Sequence, residues 1–561
     1  MAFLKPLPRT VTRPIGLLVL VAWTATMATL VGRSYGQASP NLATDLARYG
    51  SAAVWRGVYY RGEKIGFTVS QTTPTEDGFE LQEDGRLQML LLGQDTAARI
   101  RTTARVDANF TLRSFEFSLD PGTGAIVVAG TVDGPSAPSG RYTMNIAITS
   151  GGATRKETRE LPEPPVMMLN LWRRLANERL VPGASHRWSV LDPATMQSAE
   201  VVVHVRDRAI VRANDTIVPA FRVDMEFRGL KTTSWVTDTG EVVREESPLG
   251  LMTVREPPER AQGLAVPGRV QADLLRASAV VPITTERIDE PRDVQRLRLR
   301  LEGAELPTSD LDGVGQRVSG GVIELTDPRL LQPGPVDPAA RAFLAPEPLI
   351  ESDDPLIGAE AAQAVRGATT DRDRAERLTR HVSALLDKKP TIGLPSAREV
   401  LRTKVGDCNE HTALFVAMAR SIGVPARIAV GLVFMHGAFY YHAWPEVYLA
   451  EGAGGSPRAE SRGLWLPVDP TLNQFPADAT HLRLARGGLD RQAVILPLIG
   501  RLKMTVLDLE LVPGTDRVIV GRPAQPLEAP SFALDVAPAP SNRCRCSSSS
   551  GSATTDLRRT P

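Results

Sequence analysis

A cysteine, a histidine and an aspartate in the last third of the chain have the residue types of a nucleophile, a base and a group that orients the base: Cys408, His442 and Asp469. Cys408 follows a Gly-Asp pair and opens a segment whose apolar residues recur at helical spacing, so the sequence predicts a helix that begins at the thiol. A helix N-terminus carries about half a positive charge, so we expect the pKa of this thiol to lie below the free value of about 8.5. A nucleophilic thiolate at neutral pH would follow.

A thiol nucleophile needs a base, and His442 lies in the alternating run AFYYHAWPEVYL, which predicts a β-strand. Asp469 lies in the next apolar run, GLWLPVDPT, and a Gly-rich loop separates the two runs. We therefore predict an antiparallel hairpin in which His442 and Asp469 are opposite each other and the turn is centred between Gly455 and Ser456. A carboxylate in that position would fix the tautomer of the imidazole and stabilise its protonated form.

Trp444 and Glu446 share the predicted strand face of His442. We interpret Trp444 as a candidate substrate-binding residue at the acyl site. The alternative for both side chains is that they only pack against or solvate this sheet.

The three motifs, in this order, resemble those of the transglutaminase-like superfamily. The resemblance covers about 350 to 480 and implies an α+β fold with a papain-like transglutaminase core. Alternating residues and turn chemistry predict that a strand-rich, antiparallel β N-terminal region precedes this core. It also implies acyl transfer through a thioester on Cys408, with His442 and Asp469 as its catalytic partners. The residues that carry it are Gly406-Asp407-Cys408, His442-Ala443-Trp444, and Trp465 with Asp469-Pro470-Thr471.

The chain departs from many animal-type members in the stabilisation of the oxyanion. A Trp upstream of the Cys helps there, whereas no Trp occurs here between Trp235 and Trp444. The backbone N–H of Cys408 can supply one oxyanion donor, and the sequence does not identify the second. Losing one donor typically costs about a hundred- to a thousandfold in rate, which would fit a weak or specialised enzyme. The alternative function is a non-catalytic cell-envelope protein that uses a transglutaminase-like module for binding or scaffolding.

Two other readings of Cys408 stay open. A cysteine in an apolar helix can be a small buried hydrophobe. Cys408 and His411 also have a Cys-x-x-His spacing, which would supply half of a zinc site, but no second Cys pair accompanies it. The remaining cysteines, Cys544 and Cys546, lie in a tail that we predict to be disordered. We expect no metal and no organic cofactor.

Composition excludes several classes of protein. The chain has 561 residues, 65 Lys and Arg against 64 Asp and Glu, and 3 Cys. Balanced charge without a basic block argues against a nucleic-acid partner. So few cysteines cannot form a disulfide framework. The length predicts several globular domains.

The N-terminus has the pattern of an export signal. Lys5, Arg9 and Arg13 precede an uncharged apolar run at 15–31, and this basic flank is expected to stay in the cytoplasm. The run is short for a membrane span and long for a signal-peptide core, so cleavage and retention as a single anchor are both open. We predict an exported protein, periplasmic or anchored in the inner membrane and facing the periplasm.

Turn chemistry and composition divide the rest of the chain. One helix is predicted between Pro165 and Leu180, within an otherwise strand-rich region. The predicted parts are a signal peptide or anchor at 1–38, a β-rich accessory domain at 45–275, a β-rich connector with a Pro-rich linker at 276–345, a transglutaminase-like catalytic domain at 346–495, C-terminal strands at 496–520 and a disordered tail at 521–561.

The sequence thus predicts an exported, cysteine-dependent acyl-transfer enzyme that acts on a protein or peptide substrate, for which the cell envelope is a source. If water accepts the acyl group, the enzyme is a peptidase or amidase. If an amine accepts it, the enzyme is a transglutaminase-like transferase. The sequence does not choose between these acceptors.

Overall fold

The structure is a computed structural model that describes residues 53–136, 139–213, 216–263, 273–304, 306, 308–451, 462–515 and 518–519. The predicted signal or anchor at 1–38 and the predicted tail at 521–561, with Cys544 and Cys546, lie outside the described residues. Within the described part of the chain, no helix is both long and apolar enough to cross a bilayer.

Residues 54–255 form a fourteen-stranded antiparallel sheet, which confirms the strand-rich prediction for this region. Its strands show the alternation that a sheet with one buried face requires, as in β7, where Met144, Ile146 and Ile148 are buried. The strands are β1 Val54–Tyr60, β2 Glu63–Thr75, β3 Gly78–Leu91, β4 Gln94–Asp107, β5 Leu112–Asp120, β6 Ile126–Ser136, β7 Arg141–Ser150, β8 Ala153–Leu161, β9 Ser185–Asp192, β10 Gln197–Ala213, β11 Thr216–Phe227, β12 Leu230–Val236, β13 Val242–Glu246 and β14 Leu251–Arg255.

The order of strands in this N-terminal sheet is two meanders joined by one pairing. Neighbouring strands pair from β1 to β8 and from β9 to β14, and β1 pairs with β14, so that β8 and β9 are the two edges. The predicted helix is present as α1, Met168–Asn177, in the connection between those edges. Its buried Leu171 and Leu175 belong to an apolar cluster of the sheet, and the helix contacts β3, β4 and β9.

A four-stranded sheet combines strands of the connector with a C-terminal strand, which the sequence predicts as separate parts. Its order is β17-β18-β16-β26, so the C-terminal strand lies beside a strand of the connector. In β16 the buried Leu297 and Leu299 alternate with arginines that face out, which is the period of a half-buried strand. These strands are β16 Val294–Glu302, β17 Gln316–Ser319, β18 Val322–Thr326 and β26 Lys503–Leu511.

The region around the three candidate residues has helices against a five-stranded sheet of order β19-β24-β23-β22-β25. The central helix α8 is buried on all sides from Glu410 to Arg420, as expected for a helix at the centre of a core. It contacts the three preceding helices, β22 and β23. The elements are α5 Pro355–Ala364, α6 Asp371–Leu385, α7 Ala397–Thr403, α8 Cys408–Ser421, β19 Gly334–Pro335, β22 Ala426–Met435, β23 Ala438–Glu451, β24 Arg462–Pro467 and β25 Leu482–Gly487.

Short elements complete the described chain. They are α2 Pro258–Gln262, α3 Leu274–Ser278, α4 Thr308–Leu311, β15 Glu286–Arg287, β20 Asp387–Lys388, β21 Val405–Gly406, β27 Val518–Ile519 and 3₁₀ turns at Pro291–Asp293, Pro328–Leu330, Pro338–Leu344 and Leu489–Leu498.

The N-terminal sheet packs directly against the segment that precedes α8. Ile392 and Leu394 pack on an apolar cluster of the sheet, and Arg402 donates to the carbonyl oxygen of Thr123 at 2.8 Å. From the same segment, Thr391 Oγ1 donates to Glu410 Oε1 at 2.8 Å. One short segment therefore contacts both the sheet and the start of the central helix.

Candidate active site

A capping box fixes the start of α8 at the candidate nucleophile. The side chain of Asp407 accepts from the backbone N–H of Asn409 at 3.0 Å, and Glu410 Oε2 accepts from the backbone N–H of Asp407 at 2.9 Å. These two bonds satisfy backbone donors that a helix start leaves unpaired. Cys408 is the first residue of the helix, which confirms the prediction that the helix begins at the thiol.

His442 and Asp469 are hydrogen-bonded partners in a buried environment. His442 Nε2 lies 2.8 Å from Asp469 Oδ2, and Asp469 is 0% exposed. The other carboxylate oxygen, Oδ1, accepts from the backbone N–H of Leu472 at 2.9 Å. Because Nε2 is engaged by the carboxylate, Nδ1 of His442 is the nitrogen that remains to accept a proton.

The hairpin between the two motifs is present, but its predicted register is wrong by two residues. Strands β23 and β24 pair so that Glu446 lies opposite Pro467, whereas the prediction placed Glu446 opposite Trp465. Strand β24 ends at Pro467, and the backbone N–H of Asp469 turns back to Gln474 O at 2.9 Å. Asp469 lies two positions after Pro467, the last paired residue of the strand, and therefore reaches His442 from a turn beyond the strand.

Cys408 lies beside the strand that carries His442. The backbone N–H of Ala443, the residue after His442, lies close enough to the sulfur to lower the pKa of the thiol. Thr412 Oγ1, one turn along α8, donates to Ala443 O at 3.1 Å. These two contacts hold the helix that begins with the thiol against the strand of the base.

A family model of the transglutaminase-like superfamily matches residues 359–470, which include all three candidate residues. The chain carries a transglutaminase-like core. This finding confirms the family resemblance of the three sequence motifs.

Solved structures similar to the chain include two bacterial proteins described as proteases. A "putative cysteine protease" from Cytophaga hutchinsonii is 15% identical, with a TM-score of 0.24, over 42% of this chain and 89% of that one. A "putative protease" from Parabacteroides distasonis is 13% identical, with a TM-score of 0.17, over 67% of this chain and 65% of that one. A DUF1089 family protein from Pseudomonas aeruginosa is 15% identical, with a TM-score of 0.21, over 32% and 89%. No curated protein matches the chain.

The protonation of the thiol in the transglutaminase-like core differs from the prediction. Burial raises the pKa of Cys408 well above its ordinary value, and the carboxylates of Asp407, Glu410 and Asp469 act in the same direction. The Ala443 N–H opposes this shift. The predicted low pKa is therefore wrong, because burial and the carboxylates that cap the helix outweigh the helix dipole. A raised pKa favours the protonated thiol.

His481 is a site residue that the sequence interpretation missed. Its Nε2 lies 3.1 Å from Asp469 Oδ2, the oxygen that also contacts His442. Its Nδ1 lies 3.2 Å from both the backbone oxygen and Oδ1 of Asp478. In the sequence, His481 is a histidine just before the apolar run of β25, twelve residues after Asp469. No helix or strand period relates two residues at this spacing across a turn, so the sequence does not indicate that they are in contact.

The charges in this cluster stabilise one another. Burial alone would raise the pKa of Asp469, but His442 and His481 hold it far below its ordinary value. Burial likewise opposes ionisation of Asp478, whose pKa is nevertheless lowered by His481 and Thr480. Burial opposes the charged form of His481, yet Asp478 and Asp469 raise its pKa to about 10.

Trp444 lies among these residues and is 1% exposed. Its ring is 6.1 Å from that of His442 and nearly parallel to it, and 5.1 Å from that of His481 in an edge-to-face arrangement. The indole therefore packs on both imidazoles and limits their rotation. A direct contact of Trp444 with substrate stays a prediction.

Glu446 is part of a buried ion cluster on the same face. It accepts from Arg427 Nε and from Arg483 Nη1, each at 2.8 Å. Burial would raise its pKa, but the two guanidinium groups lower it to about 2. Glu446 thus remains ionised and ties three strands together, in agreement with the packing alternative for this residue.

Two groups of side chains contain residue types that can bind a metal. His411, of the Cys-x-x-His pair, places Nδ1 2.7 Å from the backbone oxygen of Asp407. His442, Asp469 and His481 are the described residues whose ligand atoms lie within 4.8 Å of one another. Their contacts of 2.8 and 3.1 Å, which are hydrogen-bond distances, join one ring nitrogen of each histidine to Asp469 Oδ2. In the structure, this cluster is joined by hydrogen bonds between the two imidazole rings and the carboxylate.

Proposed function

We propose that the protein is an exported cysteine enzyme that transfers acyl groups from peptide or carboxamide bonds through a thioester on Cys408. The observation that carries the proposal is the buried His442–Asp469 pair next to a thiol at the start of α8. The family match supports a cysteine-dependent enzyme at the level of the superfamily. A papain-like core and the catalytic roles of the three residues belong to this proposal.

The first half of the reaction forms the thioester. The neutral thiol gives its proton to Nδ1 of His442 as sulfur attacks the carbonyl carbon, and Asp469 stabilises the imidazolium that forms. The imidazolium then protonates the leaving amine or ammonia, the C–N bond breaks and the acyl group remains on sulfur. The backbone N–H of Cys408 is a donor for the oxyanion.

The second half resolves the thioester. Neutral His442 takes a proton from water or from an amine, which attacks the thioester carbon, and the thiolate leaves and is reprotonated. Water gives an acid and an amine gives a new amide. The location is proposed from the basic and apolar N-terminal pattern, and envelope protein or peptidoglycan peptide is the proposed substrate on the ground of that location.

Product analysis tests the proposal. The full chain and its Cys408→Ala variant are incubated with cell-envelope peptides and a labelled primary amine, and products are identified by mass spectrometry. New peptide termini or deamidation that need Cys408 indicate hydrolysis, and amine incorporation that needs Cys408 indicates transfer. His381→Gln is the matched control, because His381 also pairs with a carboxylate, Glu360 at 2.7 Å. Products that persist in Cys408→Ala, or no product at all, contradict the proposal.

A further inference from the structure

His481 is unusual because acceptors face both nitrogens of its ring. Nδ1 faces the backbone oxygen of Asp478, which can only accept a hydrogen bond, so Nδ1 must carry a proton. Nε2 faces Asp469 Oδ2, and the low pKa of Asp469 keeps that carboxylate ionised and unable to donate. Nε2 therefore also carries a proton. Counting protons in this way makes His481 an imidazolium.

The surroundings of His481 support the doubly protonated ring. Asp478 is itself held in place, because its Oδ2 accepts from Gln474 Nε2 at 2.8 Å and its Oδ1 accepts from Thr480 Oγ1 at 2.6 Å. The other charged or titratable groups around the ring are Asp469, His442 and Glu446 from the His442 side, and Arg483 from β25. Two carboxylates, those of Asp478 and Asp469, contact His481, and their negative charges stabilise the single positive charge of the ring.

We propose that His481 is a positioning residue for the acyl-transfer reaction, a permanent imidazolium that holds Asp469 in place and shares its negative charge with His442. The role of His481 in a reaction rests on the proposed function. The protonation of His481 and its effect on Cys408 do not depend on that function. The same oxygen, Asp469 Oδ2, contacts both rings. Because the positive charge of His481 offsets part of the negative charge of Asp469, the carboxylate stabilises a positive charge on His442 less strongly.

This sharing has a consequence for the nucleophile. Transfer of the Cys408 proton to His442 creates a second imidazolium about as far from His481 as the 6.0 Å between the two ring centres. Repulsion between two positive charges at that distance opposes transfer of the Cys408 proton to His442.

Nuclear magnetic resonance of the full chain with ¹⁵N-labelled histidine reads the protonation directly. We expect the His481 ring to stay doubly protonated from pH 6 to 8.5, and the Asp478→Asn variant to lose that state at lower pH. Assignment uses the His481→Gln variant, in which the signal disappears. A singly protonated His481 at pH 7, or stoichiometric metal in the purified protein bound through this ring, overturns the inference.

Alkylation of Cys408 by iodoacetamide, followed across pH by mass spectrometry of its peptide, tests the effect on the nucleophile. In His481→Gln we expect the midpoint pH of alkylation to fall by about one unit, because Asp469 then stabilises the His442 imidazolium alone. His481→Arg restores a positive charge and should return the midpoint toward the wild-type value. His381→Gln should leave it unchanged.

The outcomes separate a positioning role from a purely structural one. A structural role would change the alkylation rate at all pH values without moving the midpoint, and that result contradicts the inference. If the variants do not fold, the wild-type spectrum still decides without assignment, because the inference requires a histidine ring that stays doubly protonated up to pH 8.5 and is contradicted if the spectrum contains none. Neither measurement uses a substrate, so failure to find Cys408-dependent products would remove the proposed reaction while leaving these results interpretable.

Discussion

Ion pairs at the surface of the N-terminal sheet differ in solvent exposure from the ion pairs inside the transglutaminase-like core. In the sheet, pairs such as Arg101–Asp84 and Arg187–Glu200 lie at the surface, with arginine side chains 63% and 67% exposed. In the core, Glu446 and Asp469 are 3% and 0% exposed and each contacts two cationic or titratable side chains. Exposed pairs contribute about 0–1 kcal/mol, whereas buried charges are costly unless fully paired. These two surface pairs keep that part of the sheet solvated, whereas the buried charges of the core depend on complete pairing.

The largest expected effect is on the reaction. Asp469→Asn removes the negative charge beside His442 and allows the wrong tautomer, so we expect kcat to fall by about 10⁴-fold, as in other triads. Product formation from the envelope peptides measures it. Asp353→Asn, at the exposed end of an ion pair with Arg155, is the control and should not change kcat. Equal activity in both variants would remove Asp469 from the mechanism.

Breaking the buried ion cluster should destabilise the core. Glu446→Gln leaves Arg427 and Arg483 without their shared carboxylate, so we expect the free energy of unfolding to fall by about 3–5 kcal/mol. Urea denaturation measures this change. A loss below about 1 kcal/mol would mean that the cluster behaves like a surface pair.

The core should also carry the pH dependence of stability. His481 has a folded pKa of about 10, above its unfolded value of about 6.5, so its contribution is full below pH 6.5 and is lost as pH rises through 10. Glu446 has a folded pKa of about 2, so its contribution is full above its unfolded pKa of about 4.3 and is lost as pH falls through 2. Urea denaturation from pH 3 to 10 measures both limbs, and His481→Gln should flatten the alkaline one. An unchanged alkaline limb in that variant would contradict the assignment.

A smaller effect is expected where the two regions meet. Ile392→Ala removes apolar contact with the N-terminal sheet and should cost about 2 kcal/mol, less than full core burial would. It should also slow alkylation or catalysis at Cys408, because the adjacent Thr391 bonds Glu410. Ile217→Ala, whose side chain is 65% exposed on β11, is the control and should change stability by less than about 0.5 kcal/mol. Equal effects of the two variants would show that the contact is unimportant.

The smallest effect is expected at the surface of the sheet. Arg187→Ala removes an ion pair with Glu200 in which both side chains are more than half exposed. We expect a change in the free energy of unfolding within about 0.5 kcal/mol, and weaker still at high salt. A loss like that of Glu446→Gln would end the distinction between the two regions.

Features that depend on neighbouring residues in the sequence could be predicted from the sequence. The alternation in strands such as β7, the helix that begins at Cys408 and the hairpin that follows it all derive from the period of apolar residues and from capping or turn chemistry. The family motifs likewise lie in short segments. These features could be read before any contact between distant segments was known.

Features set by contacts between distant segments could not be read in this way. His481 reaches Asp469 through a turn, the pKa of Cys408 depends on burial, and Ile392 packs on strands far earlier in the chain. The register of the hairpin was wrong because Asp469 was assumed to lie on the strand, whereas it lies in a turn beyond Pro467. Each of these errors concerns tertiary packing and not local propensity.

The central claim is that Cys408 carries an acyl group during the reaction. Wild-type protein is mixed with an activated peptide ester, quenched in acid and measured by intact mass and peptide mapping. We predict an acyl adduct on Cys408 that hydroxylamine removes, that is absent from Cys408→Ala and that forms more slowly in Asp469→Asn. A folded wild-type protein that forms no such adduct, and whose Cys408 is alkylated only after unfolding, would contradict the account.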